Sequence, residues 1–279
     1  MKRAFGVLLL TFVLISPAKA FFLTAIQEKG GGFGLKGEEV FWLLFRSEPF
    51  QGLIYDLAPP KAYIVLPEGG KQPVALRRTK IFDYAQGQKR YAWVAHFLPA
   101  GEGDYFLILE TRPALVPGLK EVWQEYVKIP LHVGKGEAWE RHLSLPAEIV
   151  LLTRPYGLEE GSLLRGRLYF QGKPLPQALI QVVPYHGCYL AAEDLPHNNF
   201  GEVEASRMYQ NLLTDENGLF AVVLSRKGWW LLSARIPAGN YKMGEFTYPL
   251  FIRASVWIYV FPSFKPPEKA PLIQADPYK

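Results

Sequence analysis

Glycine and proline recur about every ten residues along most of this chain, and only short apolar runs lie between them. That rhythm limits the fold more than any other feature. The runs include "EVFWLLF", "AYIVL", "RYAWVAHF", "DYFLILE", "YVKIPLHV", "EIVLLT", "ALIQVV", "FAVVL", "WWLLSA" and "SVWIYV". They are rich in β-branched and aromatic residues and too short for packed helices, which need at least about 10–12 periodic residues. Regular short strands with turn signals between them indicate an all-β sandwich or barrel. The one helix-like piece, "GEAWERHL", is short. In "YVKIPLHV", Val127, Ile129, Leu131 and Val133 share one face and Lys128 and His132 the other, the pattern of a half-buried strand.

The first twenty residues have a different character. Lys2 and Arg3 precede an apolar run from Phe5 to Ile15, and Ala18-Lys19-Ala20 follows. This is the layout of a secretory signal peptide cut after Ala20, with an apolar run too short to span a bilayer. We therefore expect a periplasmic or otherwise exported protein with no membrane span in the mature chain. The formal charge of +5 falls on processing. Three of the 31 basic residues leave and no acidic ones, so 28 face 26 and the balance is +2. The basic residues are scattered, so no nucleic-acid partner is expected. Cys188 is the sole cysteine, which excludes an intramolecular disulfide. Stability must then come from the core, and a composition 49% hydrophobic and 14% aromatic supplies one. The expected divisions are a signal peptide at 1–20, an N-terminal β-domain at 21–146, a C-terminal β-sandwich at 147–262 and a Pro-rich tail at 263–279. The charged stretch "GKGEAWERH" and Pro146 mark the joint.

"TDENGLFAVVLSRKGWWLLSA" at 214–234 begins like a calcium loop, with Asp215, Asn217 and Gly218 in place. Position twelve, where such a loop needs a bidentate Glu, is Arg226. "DENG" reads instead as a tight hairpin turn in which Asn217 and Gly218 take positive φ. Trp229 and Trp230 then point to opposite faces of the next strand, one into the core and the other a candidate ligand platform. "GGGFG" at 30–34 lacks the Lys-Ser/Thr of a phosphate loop and reads as a flexible lead-in.

Three segments carry a resemblance: "EIVLLTRPYGLEEGSLLRGRLYFQGKPLPQALIQVVPY", "LLTDENGLFAVVLSRKGWWLLSA" and "ASVWIYV". They resemble a domain-of-unknown-function family of exported bacterial proteins described as a substrate-specific component of nickel and cobalt uptake. "FRSEPF", "AGEGDYFLILE" and "EVWQEYVKIPLHV" extend the likeness toward the N-terminus. The resemblance implies two immunoglobulin-like or transthyretin-like β-sandwich domains, the second similar to carboxypeptidase-regulatory domains. It also implies Ni²⁺ or Co²⁺ as cargo and a membrane permease as partner. Family members often begin the mature chain with His-Phe and carry His-Pro after the first long strand. Here those positions read Phe21-Phe22 and Ser47-Glu48-Pro49, so Glu48 is the candidate ligand that remains.

A second candidate set lies in "PYHGCYLAAEDLPH", where His186, Cys188 and His197 combine imidazole and thiolate, a mixture suited to late first-row metals. His96, His132 and His142 stand alone and read as solvated or hydrogen-bonded. Arg154-Pro155-Tyr156-Gly157 reads as a turn at the domain joint whose Arg could recognise a carboxylate. There is no G-x-S-x-G, no H-E-x-x-H and no nucleotide-binding set. A non-enzymatic binding or accessory protein is therefore expected, either serving metal uptake or acting as a structural or adhesive β-module that grips carbohydrate or protein through exposed aromatics.

Overall fold

Turn residues set the ends of the elements, and the apolar runs between them become strands. The computed structural model describes residues 21–49, 52–116, 118–185, 197 and 209–263. Among them are twenty strands and no helix. In chain order these are β1 Phe22–Gln27, β2 Phe33–Gly34, β3 Val40–Glu48, β4 Leu53–Tyr55, β5 Lys61–Val65, β6 Lys71–Pro73, β7 Leu76–Asp83, β8 Gln88–Phe97, β9 Gly103–Glu110 and β10 Ala114–Val116. Then follow β11 Glu121–Val133, β12 Ala147–Leu151, β13 Leu158–Glu159, β14 Ser162–Phe170, β15 Lys173–Pro174, β16 Leu179–Pro184, β17 Gln210–Leu213, β18 Leu219–Leu224, β19 Gly228–Met243 and β20 Phe246–Phe261.

The architecture is three layers around one long sheet. Eleven strands form that sheet, ordered β17-β16-β19-β20-β11-β9-β5-β6, with β2, β10 and β13 on its flanks. Its middle is a parallel pairing of β11 with β20, from Val122 opposite Leu250 to Lys128 opposite Val256. A five-stranded sheet, β1-β3-β8-β7 with β4 on β3, covers one face. Trp42, Leu44, Leu107, Ile129, Leu231 and Trp257 fill the space between. A four-stranded sheet of β12, β14, β15 and β18 covers the other face of the C-terminal half, over Leu164, Leu168, Trp230, Leu232, Val256 and Ile258. Successive residues of β19 therefore enter different cores, Leu231 one and Trp230 and Leu232 the other. A strand buried on both faces needs apolar residues at nearly every position, which is why "SVWIYV" and "WWLLSA" do not alternate with polar residues.

Three local expectations change for physical reasons. β11 is not half-buried. The segment before β12 covers its second face, so Lys128 is 4% exposed. Lys128 Nζ donates to Glu148 Oε1 at 2.7 Å and to the Arg141 carbonyl at 2.8 Å, and it lies 4.6 Å above the Phe106 ring. Burial lowers the Lys128 pKa, while Glu148 pulls it back up. "GGGFG" is an ordered turn, not a flexible lead-in. The Gln27 carboxamide accepts from Gly32 N at 2.7 Å and donates to the Phe33 carbonyl at 2.6 Å, and Phe33-Gly34 pairs with His132-Val133. Gly31 has φ 54°, and a Cβ there would stand 2.6 Å from the Tyr259 ring.

"DENG" is a turn but not a hairpin. β17 pairs with β16 in the long sheet and β18 with β14 in the four-stranded one, so the turn carries the chain between sheets. Gly218 takes φ 72°, and Asn217 is not among the residues with positive φ. Asp215 Oδ1 accepts the Asn217 and Leu219 N–H groups, each at 2.8 Å, an Asx turn that occupies the oxygen a calcium loop would use.

Candidate functional site

The antiparallel register of β1 and β3 sets Phe22 opposite Ser47. One step further out lie Phe21 and Glu48. The fold thus brings together residues 27 apart in sequence. Glu48 is 3% exposed, and its carboxylate accepts the Tyr209 hydroxyl proton. Burial, followed by the nearby Glu48 charge, pushes the Tyr209 hydroxyl above its ordinary range. Burial and the Glu48 and Asp83 charges do the same to Tyr55, whose ring meets Phe21 edge to face at 4.4 Å.

Behind this strand end lies a buried cation. Arg253, 2% exposed, donates to the Phe21 carbonyl, stands 3.8 Å from Glu125 Oε2, and packs its guanidinium over the Phe22 and Trp123 rings. Burial lowers the Arg253 pKa to about 10, with Glu125 opposing the shift. Glu125 in turn binds Arg46 Nη1 at 2.8 Å and accepts the Leu23 N–H at 3.1 Å. Burial alone would raise its carboxyl, but Arg46, Arg253 and the Leu23 N–H hold it below the usual carboxylate range. Glu48 thus has the Tyr209 hydroxyl as a donor, at the strand end where the Phe21 carbonyl accepts from Arg253.

His197 is exposed, and His186 and Cys188 lie outside the described residues. Among the described residues, no group of three or more His, Cys, Asp or Glu side chains could hold a metal ion. Two of the remaining histidines are structural. His132 Nδ1 is 2.7 Å from Asp104 Oδ1, and its ring stacks on Tyr156 at 4.0 Å. His142 stacks on Tyr169 at 4.3 Å, with Nε2 3.5 Å from Glu148 Oε2. Arg154 rests over the Tyr156 ring at 5.4 Å.

A different site opens where the edge of the five-stranded sheet overhangs β19 and β20. It is a cleft of about 1160 Å³ lined by Phe41, Trp42, Tyr185, Trp229 and Tyr259. Antiparallel pairing places Trp229 against Tyr259, with ring centres 5.4 Å apart. Strand alternation explains the difference between the paired tryptophans. Trp230 is 1% exposed, and its indole donates to the Arg226 carbonyl at 2.8 Å, whereas Trp229 remains half-buried in the cleft wall. Trp42 is fully buried, and its indole N–H has no partner among the described residues.

The rim carries Arg77, Arg226 and Lys227 against Glu28 and Glu160. Glu160 accepts the Lys227 N–H at 2.9 Å and the Ser263 N–H at 3.3 Å, contacts that hold its carboxyl below the usual range and anchor the turn before β19. The sequence offered Trp229 or Trp230 as the platform without choosing between them, and it gave no pointer to Phe41, Tyr185, Arg77 or Arg253 as parts of a site. Arg253 did leave a signal, a lone charge inside the apolar run "FIRASVWIYVF". Phe41 and Arg77 left none, since exposed-looking residues at strand positions are common.

A family model described as a domain of unknown function (DUF4198) matches residues 36–238. No curated protein matches the chain. Among solved structures, an α-2-macroglobulin from Salmonella reacted with methylamine is similar at 15% identity and TM-score 0.24, over 86% of this chain and 14% of that one. A DUF4785 family protein from Legionella pneumophila is similar at 11% identity and TM-score 0.28, over 80% of this chain and 53% of that one. This chain therefore spans about one seventh of the macroglobulin and half of the Legionella protein, and at these scores neither likeness carries an argument.

Proposed function

We propose that this chain, which belongs to the domain-of-unknown-function family DUF4198, is an exported, non-enzymatic binding protein that takes an oligosaccharide into the aromatic cleft. The observation that carries this reading is the cleft wall, where Phe41, Tyr185, Trp229 and Tyr259 converge from both sheets. Sugar rings stack on such aromatic faces. Arg77 and Lys227 on the rim favour sugars bearing carboxylates. Titration of the mature chain with neutral and uronic-acid oligosaccharides, followed by tryptophan fluorescence, tests the idea. Binding should saturate, prefer the acidic series, and weaken at least tenfold in Trp229→Ala. No response to either series, or a response indifferent to Trp229→Ala, overturns it.

A second reading, delivery of Ni²⁺ or Co²⁺ to a membrane permease, is supported by the family resemblance. This reading assigns the cargo to His186, Cys188 and His197, with Glu48 as the remaining strand-end candidate.

A further inference from the structure

The β7–β8 hairpin carries a surface that the cleft does not use. β7 is the outer strand of the five-stranded sheet and pairs with β8 alone. Arg77 turns to the cleft. The register sets Lys80 opposite Tyr91 and Phe82 opposite Lys89, with Arg78 two residues before Lys80, so these five share the other face. Arg78 and Lys80 lie over the Tyr91 ring at 3.8 and 4.9 Å. At the tip Tyr84 is 82% exposed and Phe82 42%, their rings edge to face at 4.9 Å.

The tip is held rigidly. Asp83, fully buried, accepts the Ala85 and Gln86 N–H groups through Oδ1 at 3.1 and 3.2 Å and the Ile54 N–H through Oδ2 at 3.4 Å. Asp83 is also the single acid among residues 76–91, which hold five cations, and it stands 3.9 Å from Arg90 Nε. Asp56, from outside the hairpin, accepts the Tyr91 N–H at 2.7 Å, and the exposed side chains of the hairpin's own face, Arg78, Lys80, Phe82, Lys89 and Tyr91, are all cationic or aromatic.

We propose that this hairpin docks the protein on an anionic lipid surface, with Tyr84 and Phe82 entering the headgroup layer and Arg78, Lys80 and Lys89 meeting phosphates. Charged side chains on an edge strand also guard against strand-to-strand aggregation. That role accounts for Arg78 and Lys80 but not for two exposed aromatic rings fixed at the tip. Aromatic residues flanked by Lys and Arg are what a membrane interface selects. Two exposed aromatic rings offer apolar area that a lipid headgroup layer can bury and a soluble polyanion does not.

The test is vesicle flotation of the full mature chain with phosphatidylcholine alone and with added phosphatidylglycerol. Binding should require phosphatidylglycerol and fade with salt. Each cation near such a surface multiplies partitioning by about fivefold, so Arg78→Gln with Lys80→Gln should lower it about 25-fold. Tyr84→Ser, at a site too exposed to affect folding, should lower it severalfold. Equal binding to both vesicle types, binding to soluble heparin without binding to vesicles, or indifference to both variants would overturn the proposal.

Discussion

Glu148→Ala would strand a lysine in the interior. Lys128 and Glu148 side chains are 5% and 0% exposed and 2.7 Å apart. With the carboxylate gone, the Lys128 ammonium keeps the Arg141 carbonyl as its hydrogen-bond acceptor. The Leu143 N–H, which reaches both Glu148 oxygens at 3.0 and 2.9 Å, and the Leu145 N–H at 3.4 Å lose theirs. Removing one partner of a buried pair costs about 3–5 kcal/mol. For a chain of this size that lowers the melting temperature by roughly 10 °C. Lys128→Met combined with Glu148→Leu should recover the part of the loss due to the unpaired charge, while the orphaned Leu143 and Leu145 N–H groups keep a residual cost of about 1–3 kcal/mol each.

The pH dependence identifies the cause. Burial already lowers the Lys128 pKa, and Glu148 is the group that raises it. In Glu148→Ala the folded chain sheds the Lys128 proton while the unfolded chain still holds it. The unfolded state then binds more protons, and stability rises with pH toward the ordinary lysine range near 10. Urea unfolding followed by circular dichroism, at neutral pH and near pH 10, should show the deficit narrowing at the higher pH. A deficit below about 1 kcal/mol, or one that stays flat with pH, would refute the assignment of the loss to an uncompensated buried charge.

Gly218→Val should destabilise by more than the roughly 1–3 kcal/mol of backbone strain alone, because its Cβ would stand 2.8 Å from the Leu168 carbonyl oxygen and 3.0 Å from Leu175 N. Thermal melts should show the same loss with and without Ca²⁺, and a calcium-dependent melt abolished by Asp215→Ala would contradict the Asx-turn assignment. Calorimetric titration with Ni²⁺, Co²⁺ and Cu²⁺ should give weak to moderate binding that His186→Ala or Cys188→Ser reduces and that fades in mild acid, because the thiol must lose its proton. Glu48→Ala should leave that binding unchanged and lower stability instead, since it removes the Tyr209 partner; absence of heat with every ion would end the metal-delivery reading. Mass spectrometry of the exported protein should find Phe21 first, and a retained 1–20 segment would contradict cleavage after Ala20.

Strand identity and turn placement were legible in the amino-acid order because both are local properties. A short apolar run between glycine and proline has no helical alternative, and Gly218 announces a position of positive φ on its own. The opposite orientation of Trp229 and Trp230 follows from the period of two in any strand. Which strands meet is decided elsewhere. Nothing near Val122 or Leu250 specifies that they pair, and that pairing makes one eleven-stranded sheet run through both halves of the chain. Only the third layer, laid over β11, turns Lys128 from a solvent-facing residue into a buried one and makes Glu148 its obligatory partner. Only the β1–β3 register puts Glu48 beside Phe21, and only the long sheet brings Arg253 to the Phe21 carbonyl and Glu125. The cleft likewise draws Phe41, Arg77, Tyr185 and Trp229 from four different strands or their ends. Side-chain chemistry is written residue by residue, but its neighbours are set by contacts between residues far apart in sequence, and those depend on how the whole core packs.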